Sequence, residues 1–235
     1  MSRLNILSGG AAQGLVGSLV PAFKARTGFD IAGEFGAVGL MADKLRKGTP
    51  ADVIILTAAI LARLAEEKLV LPSSMSNIGL VETALAVRAG DSKVVVTDAA
   101  SLRDALRASD AIFVPDTKAS TAGNHVAKVL AQLGIADEVA GRLKIFANGV
   151  TAMKQLAVSG AKRPIGCTQA TEIITTAGVA LSGSLPSGCE LSTMYTAGVT
   201  TNAANAAQAQ ILIDLLTADD QRASRRRAGF LDAKI

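Results

Sequence analysis

Leu4-Asn5-Ile6-Leu7-Ser8-Gly9-Gly10 is the stretch on which the fold turns. It is apolar apart from Asn5 and Ser8 and stops at a glycine pair, the pattern of a short buried strand running into a tight loop. Leu15, Leu19, Ala22 and Phe23 then recur at helical spacing, and Thr27-Gly28 closes the segment as a C-cap. Strand, glycine loop and helix make the first half of a βαβ unit. Residues 30–35 read as the next strand, 40–47 as a helix stopped by Gly48, 52–57 as a third strand and 61–69 as a helix closed by Leu71-Pro72. This alternation predicts a parallel sheet with right-handed crossovers.

The same grammar runs through a second stretch. Strands are expected at 80–88, 111–114, 143–146, 165–168 and 190–195. Helices are expected at 101–108 (with Ser101 as N-cap), 123–133, 150–159 and 203–216, with a charged helical tail over 219–227. The expected fold class is α/β with two lobes and a ligand cleft between them, residues 1–80 with 196–235 forming one lobe and 81–195 the other. In open parallel sheets ligands sit beyond the carboxyl ends of strands. The loops after Leu7, Phe35, Leu56, Val114 and Cys167 are therefore expected to line one cleft.

Composition narrows the partners. The 235 residues are 49% hydrophobic and 19% charged, which excludes a disordered chain. Of the net charge of +4, three charges sit in the run Arg225-Arg226-Arg227, a solvated helix end that complements the dipole. Aromatic residues make up 3% and tryptophan is absent, which argues against base stacking and a nucleic-acid partner. No stretch approaches the ~18 apolar residues of a membrane span, so membrane insertion is not expected. Met1-Ser2-Arg3 leads straight into the first strand without the pattern of a secretory signal. A cytoplasmic location follows, or a periplasmic one if a leader has been removed. Cys167 and Cys189 read as small buried side chains, and no metal or other cofactor is expected.

Phe23-Lys24-Ala25-Arg26-Thr27-Gly28, Phe35-Gly36-Ala37-Val38-Gly39-Leu40 and Gly48-Thr49-Pro50-Ala51-Asp52-Val53 together resemble the molybdate-binding protein family of ABC importers. Thr121-Ala122-Gly123, Gly166-Cys167-Thr168, Tyr195-Thr196-Ala197-Gly198-Val199 and Ala228-Gly229-Phe230 extend the likeness, more weakly, along nearly the whole chain. The resemblance implies a type II periplasmic-binding-protein fold. It also implies a serine at Ala11, a second at Ala37 or Val38, and a tyrosine at Gln169, all gripping a tetrahedral oxyanion. Each lost hydroxyl forfeits a charge-assisted hydrogen bond worth about 1.5–3 kcal/mol, whereas backbone amides at helix N-termini survive any side-chain change. One enzymatic branch of this resemblance group, aconitate isomerase, moves a double bond in a tricarboxylate.

Two functions follow as expectations. The first is an isomerase-like enzyme acting on a small unsaturated carboxylic acid by an allylic proton shift. The alternative is a non-catalytic binding protein of an ABC importer, for molybdate or another small anion, with an ABC permease as partner.

In the first loop, Ser8, Gly9, Gly10 and Ala11 allow several N–H groups to converge on an anion, or form a plain tight turn. Ala37, Val38 and Gly39 of the second loop and Thr57 after the third strand would face the same cleft. Ser120 and Thr121 open a helix whose amides suit an anion, or serve only as caps. Thr168 and Gln169 are neutral donors at a strand end. An allylic shift needs one group to take a proton and one to return it. Candidates are His125, the single histidine and otherwise structural; Glu172, otherwise a helix cap; Tyr195, otherwise a hinge latch; and Lys118. Arg163 is expected to be the nearest arginine, which counts against a tricarboxylate.

Overall fold

A computed structural model describes residues 2–232. β1 (Arg3–Gly9) runs directly into a 3-10 turn over Gly10–Ala12 and then α1 (Gln13–Thr27), capped by Gly28 in the left-handed region at φ 75°. β2 (Asp30–Gly36), α2 (Val38–Arg46), β3 (Val53–Thr57), α3 (Ala58–Glu66) and β4 (Ser76–Arg88) follow. β1 pairs in parallel with β2 and with β3, and Gly9 stands opposite Gly36. Every residue of β3 is buried, which is why it reads as a continuous apolar run with no alternation.

The next stretch holds α4 (Ala99–Ala108), β5 (Ala111–Pro115), α5 (Thr121–Gln132), α6 (Ala136–Val139), β6 (Leu143–Phe146), α7 (Gly149–Ala157), β7 (Pro164–Gln169), α8 (Ala170–Ile174) and β8 (Val179–Ser184). Here β7, β5 and β6 are parallel, while β4 is antiparallel to both β7 and β8. The chain closes with β9 (Ser192–Val199), antiparallel to β3, then α9 (Ala206–Thr217) and α10 (Arg222–Arg227).

Two compact units result, one of residues up to Val81 together with those from Thr193 onward, the other Glu82–Ser192. This division assigns Tyr195 to the first unit, where the sequence boundary had grouped it with the second. The first unit packs Leu4, Ile6, Leu15, Phe23, Ile54, Leu56, Leu64, Leu212 and Phe230 into one core. In the second, Leu85, Leu102, Ile112, Val126 and Leu130 form one cluster, and Met153, Leu156 and Ile173 belong to another.

The Gly-Thr-Pro-Ala-Asp-Val stretch does structural work. Asp52 is 2% exposed; its carboxylate accepts from the Asn5 N–H and the Asn205 N–H, both at 2.8 Å. One side chain thus ties the start of β3 to β1 and to the residue ahead of α9.

Several expected boundaries are corrected. Asp98, not Ser101, caps α4, and Ser101 at the third helical position completes a reciprocal capping box. The expected strand at 190–195 begins at Ser192 and runs on to Val199. Helix α3 begins at Ala58 and stops at Glu66, because Lys68 adopts φ 60° and turns the chain. Helix α8 enters the sequence reading only through Glu172 as a helix cap, and strand β8 carries no expectation; five and six residues are too few to establish a period.

Candidate functional site

In the first unit the carboxyl ends of three neighbouring parallel strands each deliver a helix start. Gly9, Ala37 and Thr57 are the N-cap residues of the 3-10 turn leading into α1, of α2 and of α3. All three adopt extended backbone with ψ of 144°, 133° and 145°, and at none does a side chain accept from the helix amides. Helices α4, α5 and α7 differ, since Asp98, Ser120 and Asn148 cap them through side-chain oxygens. An uncapped helix start presents N–H groups and the positive end of the macrodipole. Three of them at adjacent strand ends form a concentration of donors that suits a small anion.

The expected residues of this unit gather there. A Cβ built on Gly9 would stand 2.8 Å from Val38 Cγ1 and 3.0 Å from Tyr195 Cε1, so only glycine lets the end of β1, the first turn of α2 and the tyrosine meet. Tyr195 pairs with Thr57 across β3 and β9, is 2% exposed, and meets Phe230 edge-on at 6.3 Å between ring centroids. Ala11, Ala37 and Val38 are buried and apolar. Ser8 is fully buried, and its hydroxyl donates to the Gly9 carbonyl at 2.9 Å. Gly10 opens the 3-10 turn, and Gly39 lies in the first turn of α2.

In the second unit Glu172 organises the ends of β7 and α7. It is the third residue of α8, and its carboxylate reaches back to the N–H of Gln169, the cap position, as in half of a capping box. It also accepts from the Thr168 hydroxyl at 2.5 Å and from the Gly149 N–H, the first residue of α7. Burial pushes its carboxyl up from 4.5 to about 7, against the pull of those three hydrogen bonds on the charged form. A Cβ on Gly149 would fall 1.9 Å from Glu172 Oε2 and 2.2 Å from Thr168 Oγ1, which fixes glycine at that position.

Gln169 is the sequel. It is 3% exposed, and neither its amide nitrogen nor its amide oxygen has a hydrogen-bond partner. Thr171 Oγ1 and Thr83 Oγ1 are likewise buried and unpartnered, and Thr83 stands directly opposite Gln169 in the β4–β7 register. Sequence reading named Thr168 and Gln169 but missed Thr83, Thr171 and Gly149. Gly149 falls just ahead of the helix expected at 150–159, and Thr83 sits inside an apolar strand with no signal of its own.

Other expected residues are placed elsewhere or otherwise engaged. His125 Nε2 lies 2.8 Å from the Cys189 carbonyl and donates to it, since a carbonyl can only accept; the ring pins the loop after β8 onto α5. His125 and Glu172 share no partner. Ser120 caps α5 by accepting from the Gly123 N–H at 3.4 Å, and Thr121 begins that helix. Lys118 is exposed, and its backbone N–H donates to Asp116 Oδ1. Arg163 lies at the far end of β7 from Gln169. It precedes the first residue of β7, whereas Gln169 ends that strand, about 20 Å away at ~3.3 Å per residue. It lines a cavity of about 360 Å³ with Val87, Asp91, Ala105 and Pro164, at the opposite end of β7 from Gln169. Cys167 and Cys189 are free and buried, and burial pushes the Cys167 thiol up to about 12.

The family model of bacterial extracellular solute-binding proteins matches residues 4–231. This chain belongs to that family. Among similar proteins, aconitate isomerase of a Pseudomonas species is 23% identical over 229 residues, 94% of this chain and 84% of the relative. The periplasmic molybdate-binding protein of Azotobacter vinelandii superposes with a TM-score of 0.82 at 19% identity, covering 98% of this chain and 100% of the other. The sulfate-binding protein SubI of Mycobacterium tuberculosis H37Rv gives 0.76 at 18% identity, covering 100% and 88%. At these identities the superpositions show a shared fold, the periplasmic-binding-protein fold that the Gly-Thr-Pro-Ala-Asp-Val stretch pointed to. Among the described residues no helix is long and apolar enough to cross a membrane. The family fits a periplasmic setting more than the cytoplasmic one read from the first residues.

Proposed function

We propose that the protein binds a small anion as the solute-recognising component of an ABC importer, holding it chiefly with main-chain N–H groups. The observation that carries this reading is the set of three uncapped helix starts at adjacent strand ends in the first unit. Family membership supports it, as do two neighbours in fold that are named for binding molybdate and sulfate. With Ala11, Ala37 and Val38 buried and apolar where hydroxyls would grip a tetrahedral oxyanion, a carboxylate fits better than molybdate. Amide donors serve either anion, but a carboxylate leaves an organic remainder for the apolar side chains to cover. Calorimetric titration with molybdate, tungstate, sulfate and a series of mono-, di- and tricarboxylates tests this. Saturable binding of a carboxylate with weak molybdate binding is expected; sub-micromolar molybdate affinity contradicts it.

A second reading is an allylic isomerase on the same scaffold, acting on an unsaturated carboxylic acid. Two observations favour it: the aconitate isomerase relative, and a buried carboxyl at Glu172 whose value of about 7 suits proton transfer at neutral pH. Glu172 or Tyr195 would move the proton. Incubation with an unsaturated di- or tricarboxylate in deuterated water is the test. Deuterium at the allylic carbon, lost in Glu172→Gln, supports catalysis. Substrate recovered without label leaves binding alone.

A further inference from the structure

The cavity of about 360 Å³ is walled entirely by residues of the second unit, at the end of β7 away from Gln169. Its floor is apolar. Val87 closes the buried run of β4, Ile165 lies at the start of β7, and Ala105 belongs to the last turn of α4. Val94 and Ala105 also pack against the cluster of Leu85, Leu102 and Ile165, so the cavity opens off a hydrophobic core. The walls are held in place. The Ser182 hydroxyl bridges the backbone of Val94, accepting from its N–H at 2.7 Å and donating to its carbonyl at 2.8 Å. Both carboxylate oxygens of Asp110 accept from backbone, one from the Lys162 N–H and one from the Arg163 N–H, each at 2.9 Å. A pinned turn thus carries two cationic side chains to the rim.

Charge decides what such a pocket takes. Asp91, the acidic lining residue, is already paired with Arg88 at 2.8 Å. Lys162 and Arg163 are exposed, and among the described residues neither side chain makes a hydrogen bond or an ion pair. The carboxyl end of α4 would by itself favour a cation, but its carbonyls are occupied. Ala105 accepts from the Ser109 N–H, Leu106 from the Ser109 hydroxyl, and Arg107 from the Arg142 guanidinium. An apolar floor with two uncommitted cations at the mouth suits an apolar body that ends in one anionic group. The volume is at the small end of the roughly 300–1,000 Å³ of small-molecule sites, so that body is a short chain or a single ring. We propose that this cavity is a second binding site, for a small amphiphilic carboxylate. The apolar part rests against Val87, Val94, Ala105 and Ile165, and the carboxylate faces Lys162 and Arg163. All of these groups belong to one unit and none to the anion-binding reading above, so the site stands whether or not that reading does.

The test titrates the isotope-labelled full chain with hexanoate and benzoate while its NMR spectrum is followed, with hexanol, benzyl alcohol and hexylamine as matched controls. Saturable shifts are expected at the methyl groups of Val87, Val94, Ala105 and Ile165. At least one acid should bind about fivefold or more tighter than its alcohol, the scale of a partly solvated ion pair. The double variant Lys162→Ala with Arg163→Ala changes only exposed, unpaired side chains; it should keep the fold by circular dichroism and erase that preference. Ala105→Phe should fill the cavity and remove the shifts altogether, and the double variant carries the test if Ala105→Phe fails to fold. No shift at these methyl groups, equal binding of acid and alcohol, a preference for hexylamine, or an acid preference that survives the double variant overturns the site. Shifts confined to the amides of Gly9, Ala37 and Thr57 also overturn it, while supporting the anion-binding reading. Shifts at the cavity residues alone support the site and count against that reading.

Discussion

Glu172 shows what a single side chain does when the fold buries it. Its carboxyl, ordinarily near 4.5, is raised to about 7 by loss of water, while three donors keep the ionised form accessible. Between those two values the native state holds a proton that the unfolded chain has released. The contribution is therefore full below the unfolded value and is lost as pH rises through about 7. On this account the melting temperature falls between pH 5 and pH 8 by an amount corresponding to roughly 3 kcal/mol or less. Glu172→Gln should flatten that slope, and equal slopes in the two proteins would show the carboxyl ionising without penalty. Gly149→Ala is expected to destabilise by about 2–4 kcal/mol in chemical denaturation, since its methyl collides with the Glu172 carboxylate and the Thr168 hydroxyl. Neither effect was legible in the sequence. Glu172 was visible as a helix cap or a proton carrier, but the amide that completes its environment comes from a helix that starts twenty-three residues earlier in the chain.

At the scale of elements, this chain caps some helices with side chains and leaves others open. Asp98, Ser120 and Asn148 satisfy the starts of α4, α5 and α7 through side-chain oxygens. Asp98→Ala should therefore cost about 1 kcal/mol in a urea melt without altering anion affinity. The open starts of the 3-10 turn, α2 and α3 forgo that stabilisation. Which residue caps was only partly readable: Ser101 and Asp98 both suit an N-cap, and the choice rests on backbone extension at Asp98, which no local pattern reveals. The strand–loop–helix alternation was readable in most of its parts, because β1 and β3 are buried apolar runs and Gly28 and Gly48 sit at positive φ where helices stop. Short elements such as α8 were not, although the end of that helix carries the most informative unpartnered groups.

Over the whole molecule, two α/β units are built from one grammar of strand ends and helix starts. The likeness to the solute-binding family was carried most specifically by Asp52 and its neighbours, which bind β3 to β1 and to the entry of α9. Resemblance thus pointed to the fold through residues that hold it together, while alanines, a valine and a glutamine stand where it implies hydroxyl-bearing side chains. A protein that binds a ligand only when folded gains stability with ligand, about 2.7 kcal/mol at a hundred times the dissociation constant. A rise in melting temperature with a carboxylate, and little with sulfate, is the corresponding expectation.

The most direct measurement is calorimetric titration of the wild type and of Thr57→Asp with the same anion panel. Thr57 already has the extended backbone of an N-cap, and aspartate is close to threonine in size, so the new carboxylate would occupy the first amides of α3 itself. If main-chain donors hold the anion, the variant should keep its fold and bind the preferred anion at least about 100-fold more weakly, a loss of roughly 2.7 kcal/mol. Unchanged affinity in Thr57→Asp would contradict the account.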